Sequence, residues 1–177
     1  MSYDRRLERW VVHHRVGWLN PIFEGLSYAG GSALIWLVIA AGLALLWRRP
    51  WVFGQVVLAA GIGNLSAYGL KAVIPRERPS TVYAEPEPLV HAPHDHSFPS
   101  GHASMAFASA TTLTFFAPRL APAFFVLAAA IAWSRVYVGV HYPLDVLGGA
   151  VLGVAIAIAL RMLVAGLRRS PRATPAG

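Results

Sequence analysis

Three short groups of residues carry most of the reactive chemistry in an otherwise apolar chain: Lys71 with Arg78, Ser100-Gly101-His102, and Arg135 with His141 and Asp145. A lysine and two arginines supply fixed positive charge, and the planar arginine forks suit two-point contacts to phosphate oxygens. Lys71 is the only lysine among 15 basic residues, so a compact point charge stands at one position in a chain that otherwise uses arginine. After Pro99-Ser100, Gly101 lets the backbone turn where a helix begins, which offers the amides of Ser100, Gly101 and His102 to an anion. The Ser100 hydroxyl is a further donor.

His141 and Asp145 are four residues apart, and a carboxylate on one ring nitrogen fixes the tautomer and leaves the other nitrogen as nucleophile or base. Pro143 lies between them and is favoured in a first helical turn. The helix is therefore expected to start at Pro143, with Asp145 in its first turn and His141 just before it. His102 is a second imidazole near the same place. Transfer of a phosphoryl group depends mainly on positioning and on stabilising spread negative charge, and this set offers both.

The elements that hold these residues are apolar. Hydrophobic residues make up 56% of the 177 and charged residues 13%, against about a quarter charged in a soluble domain. One membrane-embedded domain spanning 1–177 is expected. Crossing the hydrocarbon takes roughly 20 apolar residues, and five stretches qualify: Leu26–Trp47, Val52–Ala72, Phe98–Ala117, Pro122–Val140 and Leu144–Leu167. Residues 3–19 repeat Leu7, Trp10, Val11, His14 and Trp18 at helical spacing, the pattern of an amphipathic helix in the membrane interface. Residues 170–177 have the composition of a disordered tail. The fold class is thus all-α, a polytopic helix bundle over 26–167 with an N-terminal amphipathic helix.

This order of spans has a consequence for the chemistry. Lys71 and Arg78 leave the end of the second span, and Ser100 to His102 open the third. The third and fourth make a return trip, so Arg135, His141 and Asp145 come back to that same face. Arg48, Arg49, Arg119, Arg168, Arg169 and Arg172 collect on the opposite one, which the positive-inside rule makes cytoplasmic. The reactive face is then extracytoplasmic in the cell membrane, although five spans place the basic N-terminal helix on it too.

A net charge of +7 does not point to nucleic acid, because the arginines sit at span boundaries and not along one stripe. No cysteine is present, so disulfide and thiolate chemistry are excluded. His91, His94 and His96 with Asp95 form a weak metal-binding pattern. With three cations at the site, no metal is needed to neutralise a phosphate.

In these motifs, Lys71-x6-Arg78-Pro79, Pro99-Ser100-Gly101-His102 and Ser134-Arg135-x5-His141-x3-Asp145, the chain resembles the type-2 phosphatidic acid phosphatase superfamily over about Val52 to Leu167. The resemblance implies a six-helix layout and metal-independent hydrolysis, without cofactor, of a lipid phosphate or diphosphate held in the bilayer. Candidates are phosphatidate, phosphatidylglycerol phosphate and a polyprenyl diphosphate, as in undecaprenyl-diphosphate phosphatases. It further implies that His141 becomes phosphorylated, Asp145 orients it, and His102 protonates the leaving group. Lys71, Arg78, Ser100, Gly101 and Arg135 would hold the phosphate. Two alternatives keep the same cradle: a vanadate-dependent oxidase of the haloperoxidase kind, and a lipid-phosphate binder or transporter without turnover.

Overall fold

The computed structural model describes residues 2–169, and all regular structure among them is helical. The helices are α1 (Tyr3–His13), α2 (Asn20–Gly31), α3 (Leu34–Leu46), α4 (Pro50–Val73), α5 (Pro79–Val82), α6 (Gly101–Thr114), α7 (Ala121–Tyr137) and α8 (Pro143–Arg169). Proline sets much of the punctuation. Pro50, Pro79 and Pro143 are first helical residues, where the missing N–H would have no partner and the fixed φ suits a helix. The expected disordered tail at 170–177 lies outside the described residues.

Three helical stretches, Pro50–Val73, Pro118–Tyr137 and Pro143–Leu167, are long and apolar enough to cross a bilayer. The expected first span, Leu26–Trp47, is covered by two helices that are together apolar and long enough for one broken span. α2 and α3 meet at a 65° bend, where Ala33 takes a left-handed φ of 54°. The cause lies in Gly30-Gly31-Ser32, which holds the helix weakly and lets α2 press closely on its neighbours. A Cβ on Gly30 would come within 2.4 Å of the Ile131 side chain.

The expected third span is also shorter. α6 has 14 residues, about 21 Å at 1.5 Å per residue, because Pro99 delays its start and Pro118 follows its end. It is the central helix, packed against α8, α4 and α7. Small residues make this possible. A Cβ on Gly153 of α8 would meet the Ser104 carbonyl at 2.2 Å, and one on Gly149 would meet the Ser100 carbonyl at 2.3 Å. The pair is a small-xxx-small stripe of the kind that brings membrane helices to backbone contact. A core of Trp36, Val56, Ala110, Leu113, Phe124 and Ile131 fills the side of the bundle that carries the short α3–α4 and α6–α7 connections. The outer surface stays apolar, with Leu45, Leu65, Val126, Val151 and Met162 exposed. Lipid is the solvent such a surface requires, and the chain is a multi-pass membrane protein.

The N-terminal segment is amphipathic but divided: α1 ends at His13 and a single 3₁₀ turn covers Gly17–Leu19. It also docks on the bundle. Asp4, Glu8, Val11 and Val12 are buried, whereas Trp10 and Trp18 face outward. Arg15 Nε donates to the Tyr137 carbonyl at 2.9 Å, and its Nη1 to that of Glu87 at 2.8 Å. Arg9 lies over the Tyr83 ring, 4.5 Å from its centroid. Glu8 is the polar cost of this docking: neither carboxyl oxygen has a partner, and burial pushes its pKa up to about 7.

Candidate active site

Lys71 stands in the last turn of α4 and Ser100 caps α6, its Oγ accepting from the Ala103 amide at 3.5 Å. Arg135 stands in the last turn of α7 and Asp145 in the first turn of α8. From Lys71 through Asp95, Arg78 and His141 to Asp145 the side chains form one connected set. Arg78, whose side chain is 1% exposed, is gripped from two loops. Its Nη1 donates to the Val140 carbonyl at 2.9 Å and lies 3.1 Å from Nε2 of His141. Its Nε donates to the Asp95 carbonyl at 2.9 Å.

That contact with His141 settles the tautomer. A guanidinium has only donors, so Nε2 must present its lone pair and the ring proton sits on Nδ1. Nδ1 faces Asp145 Oδ2 at 3.4 Å. Burial, and then the charge of Arg78, hold the His141 pKa well below the ordinary imidazole value. His141 is therefore a free base with its lone pair among cations.

Asp145 is oriented chiefly by groups other than His141. Oδ2 accepts the Tyr142 amide at 2.9 Å, and Oδ1 accepts Nη1 of Arg76 at 2.5 Å. Nη2 of Arg76 binds Asp4 of α1. The other oxygen of Asp4 accepts the Leu144 amide at 2.9 Å, so α1 caps the start of α8 just beside the site. Arg76 also lies over the Tyr142 ring, 4.4 Å from its centroid. Burial alone would disfavour its charge, but Asp4 and Asp145 hold its pKa above the usual arginine value. Neither Arg76 nor Asp4 is among the residues expected from the sequence. Arg76 was detectable as an unassigned arginine inside Lys71-x6-Arg78, whereas its partnership with Asp4 joins residues 72 positions apart.

Two other expected groups behave differently from the simple picture. The Ser100 amide is not free for an anion, because it donates to the Asp145 carbonyl at 2.9 Å. Asp95, expected only as part of a weak metal pattern, bridges Lys71 at 2.6 Å and Arg78 at 2.5 Å. Burial would raise its carboxyl, but the hydrogen bonds from Lys71 and Arg78 hold it below the usual carboxylate range. His96 Nδ1 meets the Lys71 carbonyl at 2.8 Å, while His91 and His94 pair edge to face with each other.

Arg135 is buried, hydrogen-bonded to the Ser27 hydroxyl, with its Nε unpartnered. No carboxylate among the described residues pairs with it. His102 stands in the first turn of α6, and its ring packs against α2. It occupies space that Gly31 leaves open: a Cβ there would fall 2.8 Å from its Nε2. Gly31→Ala should consequently push the imidazole aside. Turnover is expected to fall by up to about 10²-fold with little change in melting temperature, because a ring end can move without unfolding the bundle. An unchanged kcat would show that this ring has no fixed catalytic position.

The family described as the PAP2 superfamily matches residues 51–169, which include Lys71, Arg78, Ser100, Gly101, His102, Arg135, His141 and Asp145. The chain belongs to the PAP2 superfamily. Among its PAP2 relatives, phosphatidylglycerophosphatase B of Bacillus subtilis is 31% identical over 169 residues, 88% of this chain and 80% of that one. An undecaprenyl-diphosphatase of Sulfolobus acidocaldarius is 31% identical over 160 residues, 86% and 74% of the two chains. The crystal structure of Aquifex aeolicus LpxE superposes with a TM-score of 0.77 at 29% identity, covering 92% of this chain and 96% of that one. Like its PAP2 phosphatase relatives, this chain is a phosphatase.

Proposed function

We propose that this phosphatase hydrolyses the phosphate of a membrane lipid phosphate or diphosphate through a phosphohistidine on His141, without a metal ion. The observation that carries the reading is the 3.1 Å approach of Arg78 to His141 Nε2, which puts a lone pair and a phosphate-binding fork side by side. In the first step the Nε2 lone pair attacks phosphorus and the bond from phosphorus to the lipid oxygen breaks. His102 gives that oxygen its proton. In the second step water attacks the phosphorus, His102 takes back a proton, and the P–N bond breaks to release phosphate. Lys71, Arg78, Arg135 and the amides of Gly101 and His102 stabilise the charge on the equatorial oxygens. The Nδ1 proton remains on His141, directed at Asp145, while the ring carries its transient positive charge.

A lipid substrate fits the surroundings. An apolar groove lined by Leu70, Phe98, Pro99, Leu144, Leu147 and Val151 runs between α4 and α8. Leu70, Pro99 and Leu144 are each the chain neighbour of a site residue, Lys71, Ser100 and Asp145. A headgroup at the cradle would therefore leave its tail in lipid along this groove. The relatives act, by their names, on phosphatidylglycerophosphate and undecaprenyl diphosphate; phosphatidate, phosphatidylglycerol phosphate and polyprenyl diphosphates are the candidates here. The face is extracytoplasmic on the positive-inside reading, and the docked arginines of the N-terminal segment fit it, since Arg9 and Arg15 are engaged by catalytic-face loops and no longer act as free cytoplasmic markers.

The test is phosphate release by the purified chain in detergent from those three lipids, with excess chelator present. Sustained turnover on at least one is expected. Loss of all activity in chelator, restored by a divalent ion, would overturn the metal-free mechanism.

A further inference from the structure

Asp95 is a residue to which the mechanism gives no task. Its carboxylate lies between Lys71 and Arg78, one oxygen on each. Those two oxygens occupy the places where phosphoryl oxygens would meet the same cations. The side chain is 33% exposed, against 11% for Lys71 and 1% for Arg78, so it lies toward the open side of the site.

The backbone around it is held separately. The carbonyls of Asp95 and His96 accept from Arg78 Nε at 2.9 Å and Nη2 at 3.3 Å, and the His96 ring holds the end of α4. The orientation of Arg78 therefore does not depend on the Asp95 carboxylate. That carboxylate can leave by rotation about its own side-chain bonds, with no movement of the loop.

We propose that Asp95 is a built-in competitor for the phosphate site, neutralising Lys71 and Arg78 in the empty enzyme and exchanging with the phosphoryl group of the substrate. The proposal rests on the assignment of Lys71 and Arg78 as the phosphate cradle. The exchange selects by charge. A carboxylate brings one negative charge and two oxygens, whereas a phosphomonoester brings close to two charges and three free oxygens. The monoester can hold Lys71 and Arg78 and still reach toward Arg135, which has no carboxylate partner among the described residues. A phosphodiester, with one charge and two free oxygens, gains nothing over Asp95. Phosphodiester headgroups make up most of a bilayer surface, and Asp95 keeps them from occupying the cradle.

The experiment uses the full chain in detergent, with inorganic phosphate and dimethyl phosphate as competitive inhibitors of nitrophenyl phosphate turnover. Asp95→Asn keeps the shape and removes the charge. Phosphate should bind it about tenfold more tightly than it binds the wild type, the scale of a partly exposed charge-assisted contact. Dimethyl phosphate should inhibit the variant and not the wild type. Asp95→Ser should behave the same way without the amide. Unchanged or weaker phosphate affinity in both variants would overturn the proposal and make the carboxylate a strut for the two cations. Lys71→Ala in the otherwise native chain separates the two levels of inference. Weakened phosphate affinity there upholds the cradle, and unchanged affinity would remove the cradle assignment and this proposal with it.

Discussion

His141→Ala should turn over lipid phosphate at no more than about one ten-thousandth of the wild-type rate, the scale seen when a covalent nucleophile is removed. Affinity for phosphate should change little, because Lys71, Arg78 and Arg135 remain and Arg78 keeps its bond to the Val140 carbonyl. The side chain removed is buried, so a melting curve must accompany the assay. The decisive measurement is the trapped intermediate. Labelled substrate should leave phosphate on the wild-type protein in a P–N bond, lost in acid and stable in alkali, and none on His141→Ala. His102→Ala with nitrophenyl phosphate should accumulate that intermediate, since nitrophenolate leaves without a proton while water attack lacks its base. Substantial turnover by His141→Ala, or labelling that survives the substitution, would rule out this nucleophile.

The all-α class and the residues to single out were legible in the sequence, and the bends and docking of the helices were not, for a physical reason. A charged residue in an apolar segment is costly unless it acts, so Lys71, Arg135 and Asp145 stand out from their neighbours in one dimension. Pro143 announced the start of α8, and that placed Asp145 in a first turn as the structure has it. The bend between α2 and α3 did not show, because the apolar run from Leu26 to Trp47 hides three weak helix residues inside it. Gly30 and Gly31 mattered for what packs against them, Ile131 and His102, and both partners come from distant parts of the chain. The same limit hid the docking of α1. Its amphipathic pattern suggested a helix lying on lipid, while Asp4 is bound to groups more than 70 positions away.

Arg76→Ala should do more damage than substitution of any other loop residue to which the motifs assign no role. It strips the counter-ion from two buried carboxylates, Asp145 with its side chain 0% exposed and Asp4 with 6%. Removing one partner of a buried pair costs about 3–5 kcal/mol, and the 22% exposure of Arg76 puts the expectation at the lower end. Turnover should fall by about 10³-fold, approaching the loss when a triad carboxylate can no longer orient its imidazole. Arg76→Lys should recover only part of this, since one ammonium cannot span both carboxylates as the fork does.

Loss of stability and loss of orientation can be told apart with a second change. In Arg76→Ala with Asp4→Asn, the uncompensated charge on α1 is gone, while the asparagine oxygen can still accept the Leu144 amide. The melting temperature should recover substantially. Turnover should not, because Asp145 still lacks the arginine that aims it at His141. Recovery of both together would mean that Arg76 serves only to dock α1. Recovery of neither would mean that the Asp4 charge is not the source of the lost stability, and that Arg76 acts through Asp145 and Tyr142 alone.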